Sequence, residues 1–349
     1  MGSVKDMIIS VKPSENRPGA GFFVFSDRYS VFDWGEMPDR IWCKGASLAL
    51  MAAWNFEELE RIGVNTHYIG LSREGLRLEN LKKPTNVINI MVTRVIRPKF
   101  KEGKYDYSVF EKKRGKINNY LIPLEVIYRN GFPEGSSVFR KLKEGKITPK
   151  DIGLEKPPKP GDMLEKPIYD FWTKLEPTDR ALSEEEAYRI SGLSRKEFEN
   201  LKEILGICNE VITKRCEEVG LINYDGKIEL FKFGDLCVCD VLGTLDENRF
   251  AIAGGDLKGE QVSKEFLRQW YKKNDPAWVS EIGRAKKQAR EEGVENWKCL
   301  CSREPISLPK ELSDLVSQMY MSAANLYIGR EIFDSPPLET VMGKLKKYR

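Results

Sequence analysis

The 349-residue sequence predicts an α+β protein, rich in strands at the front and carrying long helices behind. Two patterns predict it. Short runs that alternate apolar and polar residues fill the opening third, and two later stretches place apolar residues at helical spacing. A third observation is negative: no GxGxxG or GxxxxGKS/T element marks a doubly wound sheet.

Residues 7–11, 22–25 and 87–95 read as strands bounded by turn residues, and a small antiparallel sheet is the simplest way to join them. Between them, Leu48, Met51, Trp54 and Leu59 fall on one face of a helix over residues 46–59. Residues 141–167, centred on Lys156-Pro157-Pro158-Lys159-Pro160-Gly161, disfavour helix and interior strand alike and read as an extended surface crossing or flexible loop. Ser194-Arg195-Lys196-Glu197 is a capping box, and Phe198, Leu201, Leu205, Cys208, Val211 and Ile212 continue its apolar stripe toward Gly220. A second long helix is predicted over residues 309–327 from Leu312, Leu315, Val316, Met319, Tyr320, Ala323 and Leu326.

Composition narrows the function. Hydrophobic residues at 41% suffice for one large or two moderate cores. A net charge of +4 from 57 basic and 53 acidic residues is too balanced for a nucleic-acid binder. No apolar run approaches the roughly 18 residues of a membrane span, and the opening residues lack the order of a signal peptide, so the cytosol is expected. The seven cysteines are odd in number and scattered, which speaks for thiols rather than a disulfide framework. Cys299-x-Cys301 lacks a second ligand pair, and no zinc is expected there.

Acids and bases stand in apolar surroundings from Leu221-Ile222-Asn223-Tyr224-Asp225-Gly226-Lys227-Ile228-Glu229 through Cys239-Asp240 to Asp246-Glu247-Asn248-Arg249. On a strand, Asp225, Lys227 and Glu229 share a face, and Asp240 would arrive from the partner strand of a hairpin. Two facing carboxylates suit a hard cation such as Mg²⁺, which needs only one or two of them beside water and phosphate oxygens. On spacing alone, a solvated hairpin face with cross-strand ion pairs is the better reading.

The surrounding residues change that judgement. Asp225-x-Lys227-x-Glu229, then Asp240, then Thr244-x-Asp246-x-x-Arg249 resembles the signature of the SAICAR synthetases, the phosphoribosylaminoimidazole-succinocarboxamide synthases of the purine pathway. In the same order, Gly2-Ser3-Val4-Lys5-Asp6-Met7 is similar to the family's phosphate loop, and Ser26 to Asp33 to its SDR-S-FD motif. Lys44-Gly45, Pro123-Leu124-Glu125-Val126-Ile127-Tyr128-Arg129-Asn130 with Gly135-Ser136, Thr173-Lys174 with Asp179, and Leu308-Pro309-Lys310-Glu311 also match.

The resemblance implies a small β-rich domain (1–122) packed on a larger mixed domain (123–349), with ATP in the cleft between them. It implies phosphorylation of a carboxylate by ATP, then attack of aspartate's amine to form an amide. Lys227, Glu229 and Asp240 would form the catalytic set, with Mg²⁺ on Glu229 and Asp240. Lys5 and Lys174 would bind ATP, and Leu121 and Ile122 would border adenine. Arg129, Ser136 and Arg249 would take a ribonucleotide 5′-phosphate, and Asp33 and Asp179 would contact substrate. The expected partners are a phosphorylated ribonucleotide carboxylate and aspartate, with a homo-oligomer compatible and neither nucleic acid nor membrane involved. His67, the single histidine, lies outside every matched segment and reads as structural or exposed.

The match departs in three places. Asp240 is followed by Val241 where the family has glutamate, and Thr244-Leu245-Asp246-Glu247-Asn248-Arg249 replaces Thr-Pro-Asp-Ser-Ser-Arg. Residues 271–305, with Trp278 and Trp297, look like an insertion relative to shorter members. These departures leave open a related ligase acting on another carboxylate or amine, and a non-catalytic nucleotide-binding homologue.

Overall fold

Alternating burial builds the front of the chain. In this computed structural model, which describes residues 4–101, 104–176, 179–294 and 296–349, β1 (Lys5–Val11) pairs antiparallel with β2 (Gly19–Phe25). Every second residue of β2 is buried, and α1 (Lys44–Arg61) covers that face. Gly45 is required at the start of α1, because a Cβ there would meet the Phe25 backbone at 2.8 Å. β3 (Tyr68–Leu71) and β4 (Val87–Val92) complete a four-stranded sheet in the order β1-β2-β4-β3. The strand expected over residues 87–95 therefore ends at Val92.

A short hairpin, β5 (Lys99–Lys101) and β6 (Lys104–Asp106), and the helix α2 (Ser108–Lys112) lead to β7 (Tyr120–Leu121) and β8 (Leu124–Gly131). Beyond α3 (Ser137–Lys143) come β9 (Met163–Thr173), β10 (Ala181–Leu182), α4 (Glu184–Ser191) and α5 (Arg195–Glu218). Ser194 and Glu197 form the expected capping box of α5. The long strand β11 (Leu221–Phe233) then pairs with β8, β12 (Asp235–Cys239), β13 (Asn248–Ile252) and β7 in a seven-stranded sheet.

Residues 141–167 are more ordered than expected. α3 continues to Lys143, Thr148 and Asp151 cap a 3₁₀ turn over Pro149–Ile152, and β9 runs through Pro167. The register of β8 and β9 shifts between Arg129 and Gly131, leaving Pro167 outside the paired positions, so its missing N–H removes no ladder bond.

The chain closes with α6 (Glu265–Asn274), α7 (Pro276–Glu292), α8 (Lys310–Ile328) and α9 (Leu338–Leu345). One apolar core runs from Phe23 and Leu50 through Leu205 and Ile228 to Met319 and Val341, so α1, α5 and α8 join the two sheets. His67 strengthens the join: its N–H donates to the Val238 carbonyl at 2.9 Å and its own carbonyl accepts from Met91 at 2.7 Å. Among the described residues, no helix is long and apolar enough to cross a membrane.

Candidate functional site

Strand register assembles the site. On β11, Asp225 lies between Arg129 of β8 and Arg249 of β13, while Lys227 pairs with Ile127 and Ile228 with Val126. Continuing that register brings Glu125 opposite Glu229. Because side chains alternate along a strand, Asp225, Lys227 and Glu229 share one face.

Two like charges facing each other across a sheet would repel. Here two lysines bridge them. Lys174 Nζ donates to Glu125 at 2.8 Å and to Glu229 at 2.6 Å. Lys227 Nζ donates to Glu229 at 2.9 Å and lies 3.4 Å from Glu125 and 3.3 Å from Glu247. At the end of the β11–β12 hairpin, Asp240 accepts from Lys5 Nζ at 2.5 Å, which ties the first strand of the front sheet to the second sheet. Asp240 has φ 61°, a left-handed conformation that aspartate adopts more readily than most residues with a Cβ. Gly2 and Ser3, expected to form a phosphate loop with Lys5, lie outside the described residues.

The acids titrate apart. Burial, then the Asp240 charge, raises the Glu229 carboxyl above the usual range, and only 3% of Glu229 is exposed. Burial alone would also raise Asp240, but the Lys5, Lys227 and Lys174 ammoniums outweigh it and hold that carboxyl well below its ordinary value. Burial would depress Lys227, yet Glu229, Glu247 and Glu125 keep it firmly protonated. This is not the solvated face that spacing alone suggested, although Lys227 does make the cross-strand ion pairs of that reading.

A buried Glu229 beside a part-exposed Asp240, with burial and then the Asp240 charge raising the glutamate, suits a hard divalent cation, because added positive charge there relieves both. Among the described residues, no group of three or more His, Cys, Asp or Glu side chains is arranged to hold a metal.

At the other end of the shared face, Arg249 grips Asp225 through Nε, 2.9 and 3.0 Å from its two oxygens, and through Nη2. Arg129 donates to Asp225 and to Asp170, each at 3.3 Å. Two guanidinium groups are thus pre-set side by side on a buried carboxylate. Ser136 is buried at the start of α3, where its hydroxyl accepts from the Val138 N–H.

Leu121 packs with Met91, Phe231, Phe233, Cys237 and Cys239 in an apolar cluster separate from the main core. Ile122 behaves differently: its side chain is buried in the main core, and its N–H donates to the Leu230 carbonyl at 3.0 Å.

Asp179 is exposed but stands near the acid cluster, and burial of its carboxyl together with the Glu125 charge raises it to about 6. Asp33 stands on the loop after β2, with its side chain 85% exposed, and accepts from Lys286 at 2.5 Å.

Sequence reasoning did not single out Glu125, Glu247 or Lys286. For Glu125 a signal was present, since it occupies an alternate position of the matched Pro123–Asn130 segment. It also left aside the fully buried pair of Lys44 and Asp246, 2.7 Å apart, which Tyr320 completes by donating to Asp246 at 2.7 Å. That clasp anchors the loop from Asp240 to Glu247, which leads into Arg249 of β13, to α1 and α8.

Comparison with known proteins points the same way. A family model described as SAICAR synthetase matches residues 13–285. A protein of Archaeoglobus fulgidus, provisionally named a phosphoribosylaminoimidazole-succinocarboxamide synthase, is 44% identical over 99% of both chains. A Thermoplasma volcanium protein that carries that name without reservation is 34% identical over 72% of this chain and 77% of its own. Among solved structures, the Saccharomyces cerevisiae SAICAR synthase complexed with SAICAR matches with a TM-score of 0.62, at 20% identity over 95% of this chain and 94% of that one. A SAICAR synthetase in complex with ADP matches with a TM-score of 0.54, at 21% identity over 88% of this chain and 99% of that one. At those identities the two structures speak for the fold alone.

Proposed function

Because the chain belongs to the SAICAR synthetase family, we propose that it joins L-aspartate to the carboxylate of carboxyaminoimidazole ribonucleotide, using ATP and passing through an acyl phosphate. The products are the succinocarboxamide, ADP and phosphate. One observation carries the reading: a single strand presents a lysine-bridged acid cluster at one end of a face and a carboxylate-held pair of arginines at the other.

In this reading ATP lies between the front sheet, residues 1–122, and the remainder of the chain. Lys5 and Lys174 meet its phosphates. Leu121 and its apolar neighbours border the base, and Ile122 contributes backbone only. Glu229 and Asp240 would hold Mg²⁺, which when bound neutralises phosphate charge. Lys227 offsets charge beside the transferring phosphoryl group, and the fixed array of ammonium groups lowers the barrier chiefly by positioning and electrostatics. Arg129, Arg249 and Ser136 receive the 5′-phosphate, since guanidinium forks match phosphate geometry. Asp33 and Asp179 contact the substrates.

A second reading, a ligase for another carboxylate or amine, is favoured by Glu247. It approaches Lys227 to 3.3 Å from a loop where the family has small residues, while Val241 is buried.

ADP release by the purified protein with Mg-ATP, the carboxylated ribonucleotide and aspartate, each omitted in turn, tests the proposal. Full dependence on all three is expected. Turnover that survives aspartate's omission but needs another amine supports the second reading, and no turnover with any acid and amine overturns both. Glu229→Gln or Asp240→Asn should lower turnover by roughly 100-fold or more, the range seen when a charge-stabilising group is lost.

A further inference from the structure

We propose that Lys286, on α7, is a positioning residue that sets Asp33 for substrate, and that α7 with Trp297 and Lys298 serves as the buttress of the Asp33 loop. The proposal rests on the reading of Asp33 as a substrate contact. Lys286 lies just beyond the stretch matched by the family model.

The loop needs holding. Phe32 and Asp33 have φ of 55° and 61°, consecutive left-handed conformations in residues that carry a Cβ, and Gly35 follows at 91°. Each is disfavoured for an L-residue outside glycine, so two in succession persist only when neighbours over-determine them. The Lys286 ammonium supplies that constraint at both residues, donating to the Phe32 carbonyl at 2.8 Å and to the Asp33 carboxylate at 2.5 Å.

Lys286 is itself held. Its ammonium stands 5.0 Å from the ring centroid of Trp297, and its side chain is only 28% exposed. Trp297 packs edge-on against Trp34, and Trp34 and Phe32 pack against the fully buried Trp278 of α7. A second cation, Lys298, lies over Trp34 and close against Gly35. Apolar packing therefore fixes the inner side of the loop, while the outer side leaves a carboxylate open to solvent with one oxygen engaged by a lysine. Among the described residues nothing engages the other oxygen, which can accept from a hydroxyl or amine.

The test compares Lys286→Met, Lys286→Arg, Asp33→Asn and the double variant Asp33→Asn/Lys286→Met with the wild-type protein. Lys286→Met should raise KM for the carboxylated ribonucleotide about fivefold, leave KM for ATP within about twofold, and speed amide hydrogen exchange over residues 31–36. Lys286→Arg should restore both readouts, and the double variant should be no worse than Asp33→Asn. Equal changes in both KM values, unchanged exchange at 31–36, failure of arginine to rescue, or additive losses would overturn the proposal. Wild-type turnover decides the ligase reading and hydrogen exchange decides the clamp, so the two fail separately.

Discussion

Lys5 and Asp240, 235 positions apart in the chain, meet at 2.5 Å and bind the outermost strand of the front sheet to the end of the β11–β12 hairpin. Both side chains keep about a fifth of their surface exposed, at 19% each, so the pair sits at the mouth of the site rather than in the core. In the proposed reading, the Lys5 ammonium passes from the Asp240 carboxylate to a nucleotide phosphate.

Lys5→Met should accordingly weaken ATP binding about tenfold or more, measured by calorimetric titration, while Tm falls only slightly because a part-exposed pair contributes about 1 kcal/mol or less. A large loss of Tm with unchanged nucleotide affinity would assign Lys5 to the fold instead.

Arg249→Ala should raise KM for the ribonucleotide by roughly 10- to 100-fold, the effect of losing hydrogen bonds to a charged group, with KM for ATP little changed. It also leaves Asp225 with Arg129 alone, so Tm should fall. Arg249→Lys should recover only part of the affinity, since an ammonium cannot match the fork. Steady-state kinetics with each substrate varied separately decides the matter.

The single histidine offers a pH test. His67 is buried between Phe23 and Phe56, with ring centroids 5.6 and 5.1 Å away, and burial depresses its imidazole to about 4. The unfolded chain takes up a proton near the ordinary value of about 6.5, before the folded one does. The His67 contribution to stability is therefore complete above pH 6.5 and is lost as pH falls toward 4, an effect on the order of 3 kcal/mol at most. One imidazole resonance, followed by NMR, should titrate near 4, and a midpoint near 6.5 would contradict the burial.

How far the sequence could be read depended on distance along the chain. The alternation of β2 and the Ser194 capping box of α5 are local, and each appears as expected. That Lys227 and Glu229 share a face was legible too, but Asp240 was expected on the partner strand, and β12 ends at Cys239, so Asp240 follows it in a left-handed turn that no alternation encodes. Glu125 required the register of β8 on β11, which no local pattern encodes. Lys286 reaches Asp33 across 253 positions, and a lone lysine on an amphipathic helix looks like any solvated charge until the fold brings it over Phe32. Pro167 misled for a related reason, because proline bars a strand only where its N–H would be paired, and the shift in β9 removes that demand.

The unbroken course of β11 makes the molecule a ruler. Four residues separate Asp225 from Glu229, and an extended strand advances about 3.3 Å per residue, so the arginine end and the acid end stand roughly 13 Å apart on a rod that hydrogen bonding prevents from stretching. In the proposed reading, a substrate whose phosphate meets the arginines while its carboxylate reaches the acid end must match that length. One carrying an extra link between phosphate and carboxylate would have to release one grip to engage the other, so the backbone itself would select by size.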